Sequence, residues 1–116
     1  MTSETDQILA EIEAIKSVLL SHGPVFYGSN DDDAAAVAED WYDYGFHAKG
    51  VDSWCGIGCW AAHAANEFYL ANMSPRLAAK ACRMYDYRQA HKDSMYAVCN
   101  GDLDPAAVIG FYKAEN

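Results

Sequence analysis

Apolar side chains fall into short bursts at helical spacing along this chain, and most bursts close on glycine or asparagine with an apolar residue behind it. Ile8, Ile12, Ile15 and Leu19 form the first stripe, reinforced by Leu9 and Val18, while Glu11, Glu13 and Lys16 lie on other faces. The pattern predicts an amphipathic helix, with Ser3 as its N-cap three residues before Asp6 and a stop at Ser21-His22-Gly23-Pro24. A loop follows over 24–29, in which Val25-Phe26-Tyr27 is the one stretch suited to an extended piece.

Asn30 opens a second predicted helix, with Asp31, Asp32 and Asp33 in its first turn, where the positive end of the helix dipole favours carboxylates. Val37, Trp41 and Tyr44 gather with Ala34 on one side, and Asp32, Glu39 and Asp43 align within about 40° on another. The helix thus has a core face and an acid face. It ends in Tyr44-Gly45-Phe46, where glycine can turn left-handed and the following apolar residue folds back, as in a Schellman motif.

That stop recurs at Gly58-Cys59 and Asn72-Met73, with a looser copy at Asp102-Leu103 just after Gly101. Six residues beyond each first position stands a small or branched apolar residue: Val51, Ala64, Ala78 and Val108. Pro75 and Pro105, preceded by the caps Ser74 and Asp104, mark helix starts in the last two copies. The 75–99 segment reads as one helix with a kink or break near 86–93, because Arg88 and Lys92 interrupt its apolar arc and Asp93 offers a second cap. A last helix over 105–112 carries Val108, Ile109, Phe111 and Tyr112.

The expected fold is all-α, a compact single-domain bundle over 1–116 of about five to six mostly short helices. Four imperfect copies fall short of a solenoid, which requires stronger self-similarity. Helices this short are unstable alone, so Trp41, Trp54, Trp60 and Phe68 are expected to hold them by packing.

Charge changes the picture more than composition does. The net charge is −9, and residues 1–72 hold twelve carboxylates against Lys16 and Lys49, whereas 73–101 hold five bases against Asp86 and Asp93. Such a field disfavours direct binding to nucleic acid and attracts basic partners. The opening residues 1–7 lack a basic leader and an apolar run, and no stretch reaches membrane-spanning length, so a cytoplasmic protein with no membrane contact is expected. Cys55, Cys59, Cys82 and Cys99 would be thiols there.

Candidate chemistry is sparse. Cys55, Cys59 and His63 repeat every four residues with zinc-type donors, but Gly56-Ile57-Gly58 interrupts the helix that would align them, and no CxxC pair supports the site. A helical enzyme or metal-binding domain built there is the alternative reading. Gly56-x-Gly58-x-x-Ala61 lacks the preceding strand of a dinucleotide fingerprint. Glu39 and Asp40 point about 100° apart, and His22, His47, His63 and His91 are scattered, so no catalytic set, cofactor or metal is assigned. Arg76, Lys80 and Arg83 make a basic i, i+4, i+7 stripe, read as a solvated face or as a contact to the acid face of another copy or to a phosphate. The basic 76–92 segment thereby offers a route to a homodimer.

The leading functional expectation is a non-enzymatic interaction protein. Asp31, Asp32, Asp33, Glu39, Asp40 and Asp43, with Tyr42 and Tyr44 beside them, would occupy a basic surface on a partner protein, one suited to nucleic acid. Carboxylates at helical spacing compete with phosphates for Arg and Lys and steer the encounter, so the mode would be inhibition by occlusion. In type this resembles the small acidic inhibitors, anti-CRISPR proteins among them, that phages direct at host defence; the likeness is one of charge placement, and no motif assigns the chain to that group.

Overall fold

A computed structural model describes residues 3–23 and 31–115, with the backbone alone at Asp31. The predicted cap Asn30, the Val25-Phe26-Tyr27 stretch, Pro24 and the side chain of Asp31 lie outside the described residues. Among those residues the secondary structure is helical throughout, in seven helices: α1 (Glu4–His22), α2 (Asp31–Asp43), α3 (Ala48–Gly56), α4 (Ala62–Leu70), α5 (Pro75–Gln89), α6 (Ser94–Asn100) and α7 (Pro105–Glu115). The count exceeds the expected five to six because 75–99 is divided into two separate helices.

The recurring stop is the device that separates them. Gly45 (φ +93°) is left-handed, Phe46 N–H reaches the Trp41 carbonyl at 3.1 Å and Gly45 N–H the Tyr42 carbonyl at 2.8 Å, the two bonds of a Schellman motif. Asn72 (φ +63°) repeats both, with Met73 N–H on Phe68 O at 3.0 Å and Asn72 N–H on Tyr69 O at 2.9 Å. At the fourth copy the left-handed residue is Gly101 (φ +86°), one position earlier than the Asp102 register implies, and Asp102 N–H bonds Ala97 O at 2.9 Å. A fifth stop stands at Ala90 (φ +50°), where His91 N–H bonds Asp86 O at 3.0 Å.

The break at 90–93 is fixed from both sides. Asp93 caps α6 by accepting Tyr96 N–H at 3.2 Å, and Asp86, reaching forward from α5, accepts Ser94 N–H at 2.8 Å. The buried Ser94 hydroxyl donates back to the Cys82 carbonyl at 3.0 Å. Three polar groups at the start of α6 are thus satisfied by α5 and the link, which a continuous helix would not provide.

The chain divides into two compact units, 1–56 and 57–116. In the first, α1 packs on α2 and α3. Ile15 and Leu19 of α1, Ala34, Ala38 and Trp41 of α2, and Val51, Trp54 and Cys55 of α3 are buried. Trp41 meets Phe46 edge-on with ring centroids 5.1 Å apart, so the apolar residue after Gly45 closes onto the helix it terminates. Ser3 caps α1 by accepting Asp6 N–H at 3.1 Å. Glu11, midway along α1, accepts the first N–H of α3 from Ala48 at 2.9 Å and lies 3.3 Å from His47 Nδ1.

In the second unit α5 packs on α6 and α7, and α4 on all three. Ala64, Phe68, Ala78, Ala81, Val98 and Val108 are wholly buried. Val51, Ala64, Ala78 and Val108, the four residues counted from the stop signals, are all fully buried, each in the helix that follows its stop. The signal therefore sets both where one helix ends and which face of the next turns inward.

Candidate functional site

Helix α2 carries the densest charge. Its buried stripe runs Ala34, Ala38, Trp41, at i, i+4 and i+7. Taking that stripe as the inward direction, Asp32, Glu39 and Asp43 lie about 140–180° away at 100° per residue, and all three are exposed. Asp33 and Asp40 are exposed as well. Among the described residues Asp32, Glu39, Asp40 and Asp43 take part in no ion pair.

Two residues of the expected core face sit elsewhere. Val37 is half-buried, and Tyr44, expected beside Trp41, is 47% exposed because the chain leaves the helix at Asp43 to make the Gly45 turn. Ala38 fills the inward position instead. Tyr44 and the half-buried Tyr42 flank Asp43, so the aromatic contribution expected next to the acids is geometrically available from Tyr44.

Helix stability does not explain this cluster. Asp32 and Asp33 belong to the first turn and favour the helix dipole, but Asp40 and Asp43 occupy the last turn, which holds no base. Each carboxylate at that negative end costs about 0.3–1 kcal/mol. The unit containing α2 has eleven carboxylates against Lys16 and Lys49, a net −9, while 57–116 balances six acids with six bases. The whole net charge of the protein therefore resides in residues 1–56. Of those carboxylates, Asp52 meets His22 Nε2 at 2.7 Å and Glu11 serves α3; Glu4, Asp6 and Glu13 are exposed along α1, and Asp32, Asp33, Glu39, Asp40 and Asp43 are exposed on the shorter α2, the denser set.

The basic stripe of α5 is also exposed: Arg76, Lys80 and Arg83, continued at i+11 by Tyr87, which is 85% exposed. Arg88 lies off the stripe and approaches Glu115 of α7 at 3.7 Å. An open depression of about 380 Å³ beside the Asn72 turn, lined by Tyr69, Leu70, Asn72, Met73 and Ser74, contains no acid, base or thiol arranged for catalysis.

The alternative reading places a centre at Cys55, Cys59 and His63. Among the described residues no group of three or more His, Cys, Asp or Glu side chains could hold a metal ion. Cys55 lies in α3 of the first unit, whereas His63 in α4 turns its Nε2–H to the Val98 carbonyl at 3.3 Å. Trp60, which would offer a binding anchor if it were exposed, is half-buried against Tyr96 with ring centroids 6.0 Å apart.

What sequence spacing missed is the placement of the thiols. Cys99 S–H lies 3.7 Å from Cys59 Sγ, and Cys59 S–H donates to the Ala61 carbonyl at 3.6 Å. The hydrogen bond with Cys59 lowers the Cys99 thiol below its ordinary value, against the opposing effect of burial, and the backbone N–H groups of Ala61 and Trp60 add to the lowering. Burial pushes Cys82 the other way, to about 11. Forty residues separate Cys59 from Cys99, and no local pattern announces the pair.

Comparison with protein-family models, with curated proteins and with solved structures finds no match. No helix among the described residues is long and apolar enough to cross a membrane.

Proposed function

We propose that the protein is a non-enzymatic interaction protein that uses the α2 acid face to occupy a basic, nucleic-acid-binding type of surface on a partner protein, and so acts as an inhibitor by occlusion. One observation carries the reading: Asp32, Glu39 and Asp43 stand exposed on one edge opposite the buried Ala34-Ala38-Trp41 stripe, and the row runs into a helix end where it costs stability. Charge retained against helix stability is charge available for recognition, through charge-assisted hydrogen bonds to Arg and Lys and through long-range steering. Asp33, Asp40 and Tyr44 extend the contact and Tyr42 borders it, and Asp31 is included in the proposed set from its place in the sequence.

The test is a charge reversal. The partner captured by the wild-type chain should bind the Asp32→Lys/Glu39→Lys/Asp43→Lys variant at least about tenfold more weakly, with a shallower dependence on salt, and wild type should displace DNA from it. Unchanged affinity and salt dependence in the variant would end the proposal. The exposed Arg76-Lys80-Arg83 stripe supplies a second occupant for the same face, the α5 helix of another copy. Association of that kind would show as a mass that rises with concentration at low salt and falls at high salt.

A further inference from the structure

The mechanism proposed for the acid face leaves the thiols of the second unit unused, and their arrangement is not one that packing alone requires. Cys59 and Cys99 bring two sulfurs within 3.7 Å from segments forty residues apart. Cys59 lies in the link between the left-handed Gly58 and α4, and Cys99 in the last turn of α6, two residues before the left-handed Gly101. A disulfide requires about 2.05 Å between sulfurs, so bonding needs roughly 1.7 Å of approach, shared between two segments that each adjoin a helix end.

We propose that Cys59 and Cys99 form a dithiol switch that hydrogen peroxide closes to a disulfide. Cys99 reacts first. It is 4% exposed where Cys59 is fully buried, and its thiolate is the one that the Cys59 thiol and the N–H groups of Trp60 and Ala61 stabilise at the start of α4. The Cys99 thiolate attacks one peroxide oxygen and the O–O bond breaks. The products are a sulfenic acid and hydroxide, which takes up the proton Cys99 lost and leaves as water. Cys59, now facing an electrophilic sulfur, gives up its proton and attacks Cys99 Sγ; the S–S bond forms, the S–O bond breaks, and the departing hydroxide takes the Cys59 proton as a second water. Two thiols and one peroxide thus become one disulfide and two waters, with two electrons passing from sulfur to oxygen. A cellular dithiol reverses the change by thiol–disulfide exchange.

Cys82 is held out of this chemistry, since burial keeps it protonated with its value pushed up to about 11. Cys59 and Cys99 are the pair assigned to the switch among four buried thiols.

Mass spectrometry of the full-length chain, treated with hydrogen peroxide while folded and then alkylated in denaturant, tests the switch. Expected is the loss of two alkylatable thiols, a mass decrease of two hydrogens that dithiothreitol restores, and one cross-linked pair of tryptic peptides. Cys55 and Cys59 share a tryptic peptide, so fragment ions must place the bridge on Cys59 with Cys55 alkylated. Cys82→Ser should close at the wild-type rate, and Cys59→Ser should stop at a Cys99 sulfenic acid that dimedone traps. Four alkylatable thiols after treatment, a bridge through Cys55 or Cys82, or Cys99 over-oxidised to sulfinic acid without any bridge would each overturn the proposal. Peptide mapping of the wild-type chain distinguishes these outcomes by itself, whether or not the serine variants fold.

Discussion

Replacing Ala90 with glycine is expected to stabilise the protein by about 0.5–1 kcal/mol. Ala90 has φ +50° and ψ +36°, and a residue with a Cβ held there costs roughly 1–2 kcal/mol. Glycine removes that cost but adds chain entropy to the unfolded state, worth about 0.5–1 kcal/mol in the opposite direction. The methyl group is exposed, so no packing is lost with it. The midpoint of thermal unfolding should rise by about 2–6 °C, and urea unfolding should show a higher midpoint at unchanged slope. Gly101→Ala is the mirror control: φ is +86° and nothing stands within 4 Å of an added Cβ, so its expected loss of about 1 kcal/mol is conformational alone. If α5 and α6 were one continuous helix, glycine at 90 would instead destabilise by about 1 kcal/mol. The sign of the change thus tests the break itself, and destabilisation by Ala90→Gly would refute it.

Asp43→Lys should raise stability by roughly 0.5–1 kcal/mol, by exchanging an unfavourable for a favourable charge at the end of α2, while weakening partner binding; a variant that changes both in the same direction would contradict the account of the acid face. Glu11→Ala removes the acceptor that satisfies the first N–H of α3 and should cost about 1 kcal/mol in denaturant unfolding, where an ordinary exposed helix position would cost nothing measurable. Cys82 is raised to about 11 from an ordinary 9, so the folded state keeps a proton that the unfolded state gives up. Its contribution is present below pH 9 and lost as the pH rises toward about 11; Cys82→Ala should flatten that part of the stability curve, and an equal decline in both proteins would rule the cause out.

The helix ends were legible because their causes are local. Ser3, Ser74, Asp93 and Asp104 each accept from a backbone N–H two or three residues ahead, and Gly45, Gly58 and Asn72 take the left-handed backbone their side chains allow. The stop at Ala90 was not legible as a stop, since alanine is the strongest helix former and the break is enforced by Asp86 and Ser94 from eight residues apart. The acids of α2 could be placed on one face by counting, and their exposure agrees with that placement. Tyr44 could not, because helical periodicity was carried one residue beyond the last turn. Glu11 on α3 and Cys59 on Cys99 bridge 37 and 40 residues, distances at which sequence spacing holds no geometric information.

The division at residue 56 follows the order of the chain. The packing of α1 on α2 and α3 joins residues made before residue 57, so the acidic segment is polymerised whole before α4 to α7. At about 5–20 residues per second, Cys59 is added to the chain roughly 2–8 s ahead of Cys99. During that interval the growing chain holds no Cys99 for it to meet. The dithiol therefore forms only once α4, α5 and α6 have all left the ribosome, and its presence reports that synthesis has passed residue 99.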